Sequence, residues 1–320
     1  MAPRLTFCIP TNGISEWVFP VLKSIYDGKY AEKHMDEFEV VVTDNGQDQK
    51  FKKKMRIYAA QHSNLNYQET NSYMFNNQLD AFRLAKGNLI KFLNHRSKLI
   101  EGSLKQLLDV EEKYCKEKPI LYFANGNMKE KVIECNDFDS FVRELGIWST
   151  WSGGISMWRD DFNKIPENID TDQFFPHMAM LFAFRDRNRY IIENMVLTED
   201  IPADVTKKGK YNLFEAFANR FPHILLDMVR SHDISIDTFL SVKKLNLNFC
   251  ASLFIDYVIR KQQCSYILDN KEKYLSIFYG RREFKNAVFK VMIKRTLGKT
   301  RQLFKNTRNT AHSIKSANKK

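Results

Sequence analysis

The sequence predicts an α/β protein: a mainly parallel sheet between helices, followed by an α-helical C-terminal region. Three observations carry that expectation. Apolar, strand-like runs alternate with helical patterns over roughly the first 200 residues. Two of these runs, "FEVVVTDNG" and "NLIKFLNHR", are almost continuously apolar before their polar ends, as in strands covered on both faces. Beyond Tyr211 the strand signals cease and long helical patterns take over.

"RLTFCIP" is a short strand in which Leu5, Phe7 and Ile9 alternate with smaller residues and Pro10 ends the run. "SEWVFPVLKSIYDG" reads as a helix with Ser15 as N-cap and Gly28 as stop, and Pro20 is near enough to its first turn to be accommodated. "FEVVVTDNG" closes in the turn residues Asp44, Asn45 and Gly46. Two helices follow in succession, "QKFKKKMRIYAAQ" and "YMFNNQLDAFRLAKG", then the strand "NLIKFL". The middle of the chain reads as helix "GSLKQLLDVEEKYCKEK", strand "PILYFAN" and a helix from Asp137 to Leu145. "WSTWSGGISMW" then ends in a strand, "FFPHMAMLFAF" is a buried helix, and "RYIIENMVLT" is a strand. Two long helical patterns, 212–231 and 236–262, lead into a basic terminus. The order strand, helix, strand, helix, helix, strand is that of a doubly wound sheet, whose ligands gather at the carboxyl ends of its strands. Those ends are Pro10-Thr11-Asn12, Asp44-Asn45 and Asn94-His95-Arg96.

The chain has 320 residues, enough for a sizeable core, and its 43% hydrophobic and 28% charged content is that of a globular protein. Five widely spaced cysteines form no CxxC pair and read as free thiols in a reducing compartment. No leader is expected, and no run approaches the roughly 20 apolar residues of a spanning helix. The expected location is cytoplasmic. The net charge of +12 is confined to one end: from Arg281 onward there are thirteen Lys and Arg against Glu283 alone. Within that stretch Phe284, Val288, Val291 and Met292 fall at helical spacing, with Lys285, Lys290, Lys294 and Arg295 interspersed. This is the composition of an interfacial helix, so residues 281–305 are expected to hold the protein on an anionic membrane, at the inner face of the cell membrane. The bland reading is a solvated basic helix that partly packs on the domain. The expected organisation is a domain over 1–210, a helical region over 211–305 and a disordered basic tail over 306–320.

The motifs in their order resemble family-2 glycosyltransferases of the GT-A fold, over about residues 4–200. "FCIPTNG" stands for the family's first strand and its Pro-Thr-Tyr/Asn, "VVVTDNG" for the second strand and its acidic turn. "NNQLDAFRLAKGNLIKFLNHRS" stands for the Asn/Ala-rich helix, Ala-x-Gly and the strand before Asp-x-Asp. The nearest likeness is to bacterial enzymes that build surface polysaccharides. What the resemblance implies is an inverting transfer of a sugar, from a nucleotide-diphosphate donor (a UDP-sugar before others) to a glycan or polyprenyl-linked acceptor. It places Pro10, Thr11, Asn12, Asp44, Asn45, Asn77, Asn94, His95, Arg96 and Lys98 at the donor. Asp44 would accept from the base edge or ribose; as a residue alone it reads equally as the cap of the turn "TDNG". Trp151, Ser152, Gly153 and Gly154 would belong to the acceptor pocket, or form a core tryptophan beside a tight turn. Asp172 and Asp170 are candidates for the base that deprotonates the acceptor, with His177 another, although the family's Glu-Asp pair is replaced by "PHMAML".

The departure lies at Asn94-His95-Arg96, where the family has Asp-x-Asp on a divalent metal. Mg²⁺ and Mn²⁺ favour carboxylate and other oxygen ligands, and a guanidinium alongside repels them. No cofactor is expected, and Arg96, assisted by Lys98, takes the metal's place on the diphosphate. His95 as a lone metal ligand and an inactive sugar-nucleotide-binding protein stay open. A basic nucleic-acid-associated protein is the alternative from another class. No nucleic acid is expected, because the charge sits in one segment without a zinc finger or RNA-binding aromatic motif.

Overall fold

The computed structural model describes residues 2–202, 204–205 and 209–297. Among the described residues there are ten strands: β1 Leu5–Thr11, β2 Phe38–Asp44, β3 Leu65–Glu69, β4 Leu89–Phe92, β5 Ser97–Leu99, β6 Ile120–Phe123, β7 Val132–Cys135, β8 Ser156–Trp158, β9 Tyr190–Glu193 and β10 Thr198–Asp200. The α-helices are α1 Ser15–Tyr26, α2 Lys29–Lys33, α3 Gln49–Ala60, α4 Asn77–Leu84, α5 Ser103–Tyr114, α6 Phe138–Leu145, α7 Arg159–Phe162, α8 Pro176–Leu181, α9 Phe221–Arg230, α10 Ile236–Leu253 and α11 Lys271–Phe278. A further helix spans 281–297.

The central sheet has the order β3-β2-β1-β4-β8, with the first four strands parallel and β8 antiparallel on β4. Every residue of β2 and β4 is buried, as their near-continuous apolar sequences require of strands covered on both faces. The register sets Thr11 beside Asp44 and Cys8 beside Phe92, so the polar residues following β1, β2 and β4 emerge along one edge. A second sheet, β6-β9-β7, joins the first through a bridge from Tyr122 to Ile155. β5 pairs antiparallel with β10. The core under these sheets gathers Leu5, Phe7, Ile9, Val40, Val42, Leu89, Leu93, Leu107, Leu121 and Trp158, all under a tenth exposed.

Several expectations need correction. β3 lies between the two helices read as consecutive: "LNYQE" is an edge strand, only partly buried, and lacks the continuous apolar run of its neighbours. β5, β7 and β10 are three or four residues long, too short for a periodicity to declare them. The strand "RYIIENMVLT" is two: β9 stops at Glu193, and the Asn194 side chain bonds the main chain of Met128 and Glu130. Ser15 is the first helical residue of α1, not its cap, and Ile14 caps without a side-chain bond.

The chain forms two compact units. The first comprises residues 1–204 with 224–241, the second 205–223 with those from 242 onward, where the sequence suggests a single cut at 210. In the first unit, 224–241 is tied to α6 by Arg143 Nε donating to Thr238 Oγ1 at 2.9 Å and Ser235 N–H donating to Asp139 Oδ1 at 2.7 Å. The second unit is helical, with Phe214, Ala218, Leu247, Cys250, Ala251, Leu275, Tyr279 and Ala287 at its centre. Among the described residues no helix is long and apolar enough to cross a membrane. The stretches 298–305 and 306–320, for which the sequence leads one to expect membrane contact and disorder, lie outside the described residues.

Candidate active site

Thr11 ends β1 almost fully buried, its Oγ1 accepting the Gly13 N–H at 3.1 Å and meeting His95 Nδ1 at 2.8 Å. Gly13, at φ +84°, makes the turn that Thr11 closes. The edge of Trp17 packs against the other side of the imidazole, ring centroids 5.1 Å apart. Burial, then the neighbouring Arg96, holds the His95 pKa down to about 3. His95 is therefore neutral at physiological pH and brings no charge to the strand ends.

Asp44 is fully buried. Its carboxylate accepts the Gly46 N–H at 2.7 Å and the Tyr67 hydroxyl at 2.9 Å, and burial raises its pKa against the pull of those two donors. A Cβ on Gly46 would stand 2.1 Å from the Asn12 carbonyl oxygen, so only glycine fits where the two turns touch. Asp44 thus sits beneath the rim and fixes the turns above it. Asn45 donates to the carbonyls of Ser72 (2.9 Å) and Met74 (3.0 Å), pinning the loop between β3 and α4. Asn77, 2% exposed, spends its amide on the carbonyls of Thr11 and Thr43 and accepts from Thr70, which staples β1 to β2.

Beyond β4, Asn94 Oδ1 accepts the Arg96 N–H at 3.2 Å and its carbonyl accepts the Ser97 N–H at 2.9 Å, a tight turn into β5. The two cations there differ in situation. Lys98 is ion-paired with Glu199 at 2.7 Å across the β5–β10 ladder. The Arg96 guanidinium, half-buried, makes no ion pair or hydrogen bond among the described residues. Nor do the described residues contain a group of three or more His, Cys, Asp or Glu arranged to hold a metal. The three residues that follow Leu93 at the rim are an amide, a neutral imidazole already engaged by Thr11, and a guanidinium, which is a poor set for Mg²⁺ or Mn²⁺.

A second cluster forms around α8. His177 is 3% exposed, and neither ring nitrogen has a hydrogen-bond partner, the main chain of Ser149 and Thr150 lying close by. Burial brings its pKa down to about 4, against the opposing influence of those two backbone groups and of Asp172. Asp172 is half-buried and accepts the Phe174 N–H at 2.8 Å, while Asp170 is exposed. Thr171 between them reaches Asn76 at 3.4 Å, so the DTD segment lies by the start of α4. The Trp151–Gly154 segment is fixed by Tyr122, whose hydroxyl donates to the Trp148 and Trp151 carbonyls. Its glycines answer the protein's own rings: a Cβ would lie 2.1 Å from Tyr122 at Gly154 and 2.5 Å from Trp151 at Gly153.

Among solved structures the chain is similar to S. aureus TarS residues 1–349 in complex with UDP-GlcNAc, at TM-score 0.58 and 14% identity, over 89% of this chain and 81% of that one. TarS 1–349 in a second crystal structure superposes at TM-score 0.52, with 14% identity over 80% of this chain and 75% of that one. No protein-family model and no curated protein sequence matches the chain. The fold is the GT-A fold.

Within that fold the structure adds residues that the sequence patterns do not single out. Glu199 and Asp200 reach the rim through β10: Asp200 accepts the Ser97 hydroxyl at 2.6 Å, and the Ile201 N–H donates to the Arg96 carbonyl at 2.8 Å. The literal acidic pair in "LTEDIP" is the available signal, lying just past the end of the strand read as "RYIIENMVLT". Lys91, buried on β4, donates to the carbonyls of Phe92 (2.9 Å), Gly153 (2.5 Å) and Ile155 (3.3 Å), with no carboxylate partner. Burial lowers its pKa to about 7. It fastens the Trp151–Gly154 segment to β4 next to the rim.

Proposed function

We propose that the protein is an inverting glycosyltransferase that moves a sugar from a nucleotide-diphosphate donor, a UDP-sugar before others, to a glycan or lipid-linked glycan. The observation that carries this reading is Arg96: a guanidinium free of ion pairs among the described residues, at the carboxyl end of a central GT-A strand, beside an imidazole held neutral. Phosphate oxygens suit its forked donors, and a fixed cation stabilises the charge that grows on a departing diphosphate. Arg96 acts there in place of a metal. Lys98, being paired with Glu199, contributes less.

The donor pocket is the rim of Pro10–Gly13, Asp44–Gly46 and Asn94–Arg96, with Asn77 and Asp44 holding its floor from below. The acceptor hydroxyl approaches over the Trp151–Gly154 side. Asp172 takes its proton as the oxygen bonds to the anomeric carbon and the carbon–oxygen bond to the diphosphate breaks; the electron pair leaves with the nucleotide. His177, buried and neutral within electrostatic reach of Asp172, adds no positive charge to it. Such an enzyme fits the cytoplasmic face of a bacterial cell membrane, where polyprenyl-linked acceptors for surface polysaccharide are at hand. A hydrolysis and binding screen of UDP-, GDP-, dTDP- and CDP-sugars, run with and without EDTA, tests the reading. Binding of one class with turnover supports it, binding without turnover leaves a sugar-nucleotide-binding protein, and no binding removes it.

A further inference from the structure

The helix 281–297 has two apolar stripes, and the structure uses only one. Phe284, Ala287, Val288 and Val291 pack on the core of the second unit, with Phe284 edge-on to Phe254 at 5.4 Å. Arg295, on the same side, pairs with Asp256 at 2.6 and 2.9 Å. The stripe that sequence periodicity picks for a membrane is thus largely consumed within the protein. On the other side Phe289 (65% exposed), Met292 (42%), Ile293 (43%) and Leu297 (58%) are unpacked. At 3.6 residues per turn these four share one arc of about 140°. Arg281, Arg282, Lys285 and Lys290 lie in or within about 20° of that arc, are all exposed, and have no ion pair among the described residues, while Glu283 and Lys294, also exposed, lie further round toward the packed side.

We infer that this outward stripe is the surface that seats the protein on an anionic bilayer, with Phe289, Met292, Ile293 and Leu297 in the headgroup boundary and the flanking cations on lipid phosphates. It refines the membrane placement proposed above and is independent of the donor chemistry. An exposed apolar row bordered by four cations suits anionic headgroups, which the basic side chains reach while their stems lie along the apolar surface. A second copy of the chain fits worse, since burying the stripe against itself would bring the same cations face to face. The sequence continues the charge: residues 298–320 hold seven Lys and Arg and no acidic residue.

The test is flotation of the full chain with vesicles of phosphatidylglycerol and phosphatidylcholine, beside phosphatidylcholine alone. The expected result is binding to the anionic vesicles only, weakened by salt, and reduced at least about tenfold by Phe289→Glu with Ile293→Glu. Both positions are exposed, so an unchanged thermal melt should accompany that loss. Binding by the double variant equal to the parent's overturns the inference, as does failure of the parent to bind. A parent dimer that the double variant splits, seen by light scattering, overturns it in favour of a contact between copies. Hydrolysis of UDP-GlcNAc without vesicles, measured on the same samples, reports the donor reading separately.

Discussion

His95 shows how burial decides the electrostatics of a site. Held by Thr11 and Trp17, and beside Arg96, it cannot take up a proton near neutral pH, so the positive charge offered at the end of β4 is the guanidinium's. Removing that charge while leaving the strand intact should cost turnover on the scale of a lost transition-state donor. Arg96→Ala is expected to lower donor turnover by about a hundredfold with an unchanged melting temperature, measured by nucleotide release and calorimetry. Asp44→Ala should act differently, because Asp44 holds the turns from below. It is expected to weaken UDP binding by roughly tenfold and to destabilise the fold by about 1–3 kcal/mol, as Gly46 N–H and Tyr67 OH lose their acceptor. Titration calorimetry and denaturant melts together check both parts. At this scale the position of "NHR" is legible in the sequence, because a buried strand that ends in a polar triplet delivers those groups to the rim of its sheet. The pairing of Lys98 is not legible there, since Glu199 arrives from a strand a hundred residues away.

The short elements carry most of what the sequence conceals. β5 and β10 are three residues each, yet their ladder brings Glu199 and Asp200 to the rim and sets which cation is left for a ligand. α8 is six residues, and its packing decides the state of His177. That burial has a consequence for stability against pH. The unfolded chain binds a proton at His177 near pH 6.5, the folded chain only near 4, so stability is full above about 6.5 and falls as pH drops between those values. The slope is about 1.4 kcal/mol per pH unit for this group, roughly 3 kcal/mol in all. His177→Leu should flatten the fall between pH 6.5 and 4, as read from urea midpoints. If Asp172 is the base, Asp172→Asn should lower kcat by about 10²–10⁴ while the donor KM stays within a fewfold; equal kcat in the two proteins would move the base elsewhere. The long elements, β1, β2, α3 and α5, are legible because each repeats its period or its apolar run often enough to be seen, and β4, only four residues, because all but Lys91 of it is apolar.

For the molecule as a whole, the parallel sheet and the helical second unit follow from patterns visible along the chain, and the likeness to TarS agrees with the α/β fold. The division into units is not visible in the same way: residues 224–241 return to the first unit through Asp139 and Arg143, contacts that no local pattern encodes. The amphipathic helix at 281–297 is visible as a helix, but which stripe faces outward depends on what the second unit's core demands. At this scale the proposal is a glycosyltransferase of the GT-A fold in which Arg96 does the work of a metal ion. It is tested most directly by turnover, in excess EDTA, of the nucleotide sugar that the donor screen selects, by the intact chain with Arg96→Ala measured alongside. Turnover that survives EDTA and falls about a hundredfold in the variant is the expected result. Turnover that requires added Mn²⁺ or Mg²⁺ and is indifferent to Arg96 would contradict it.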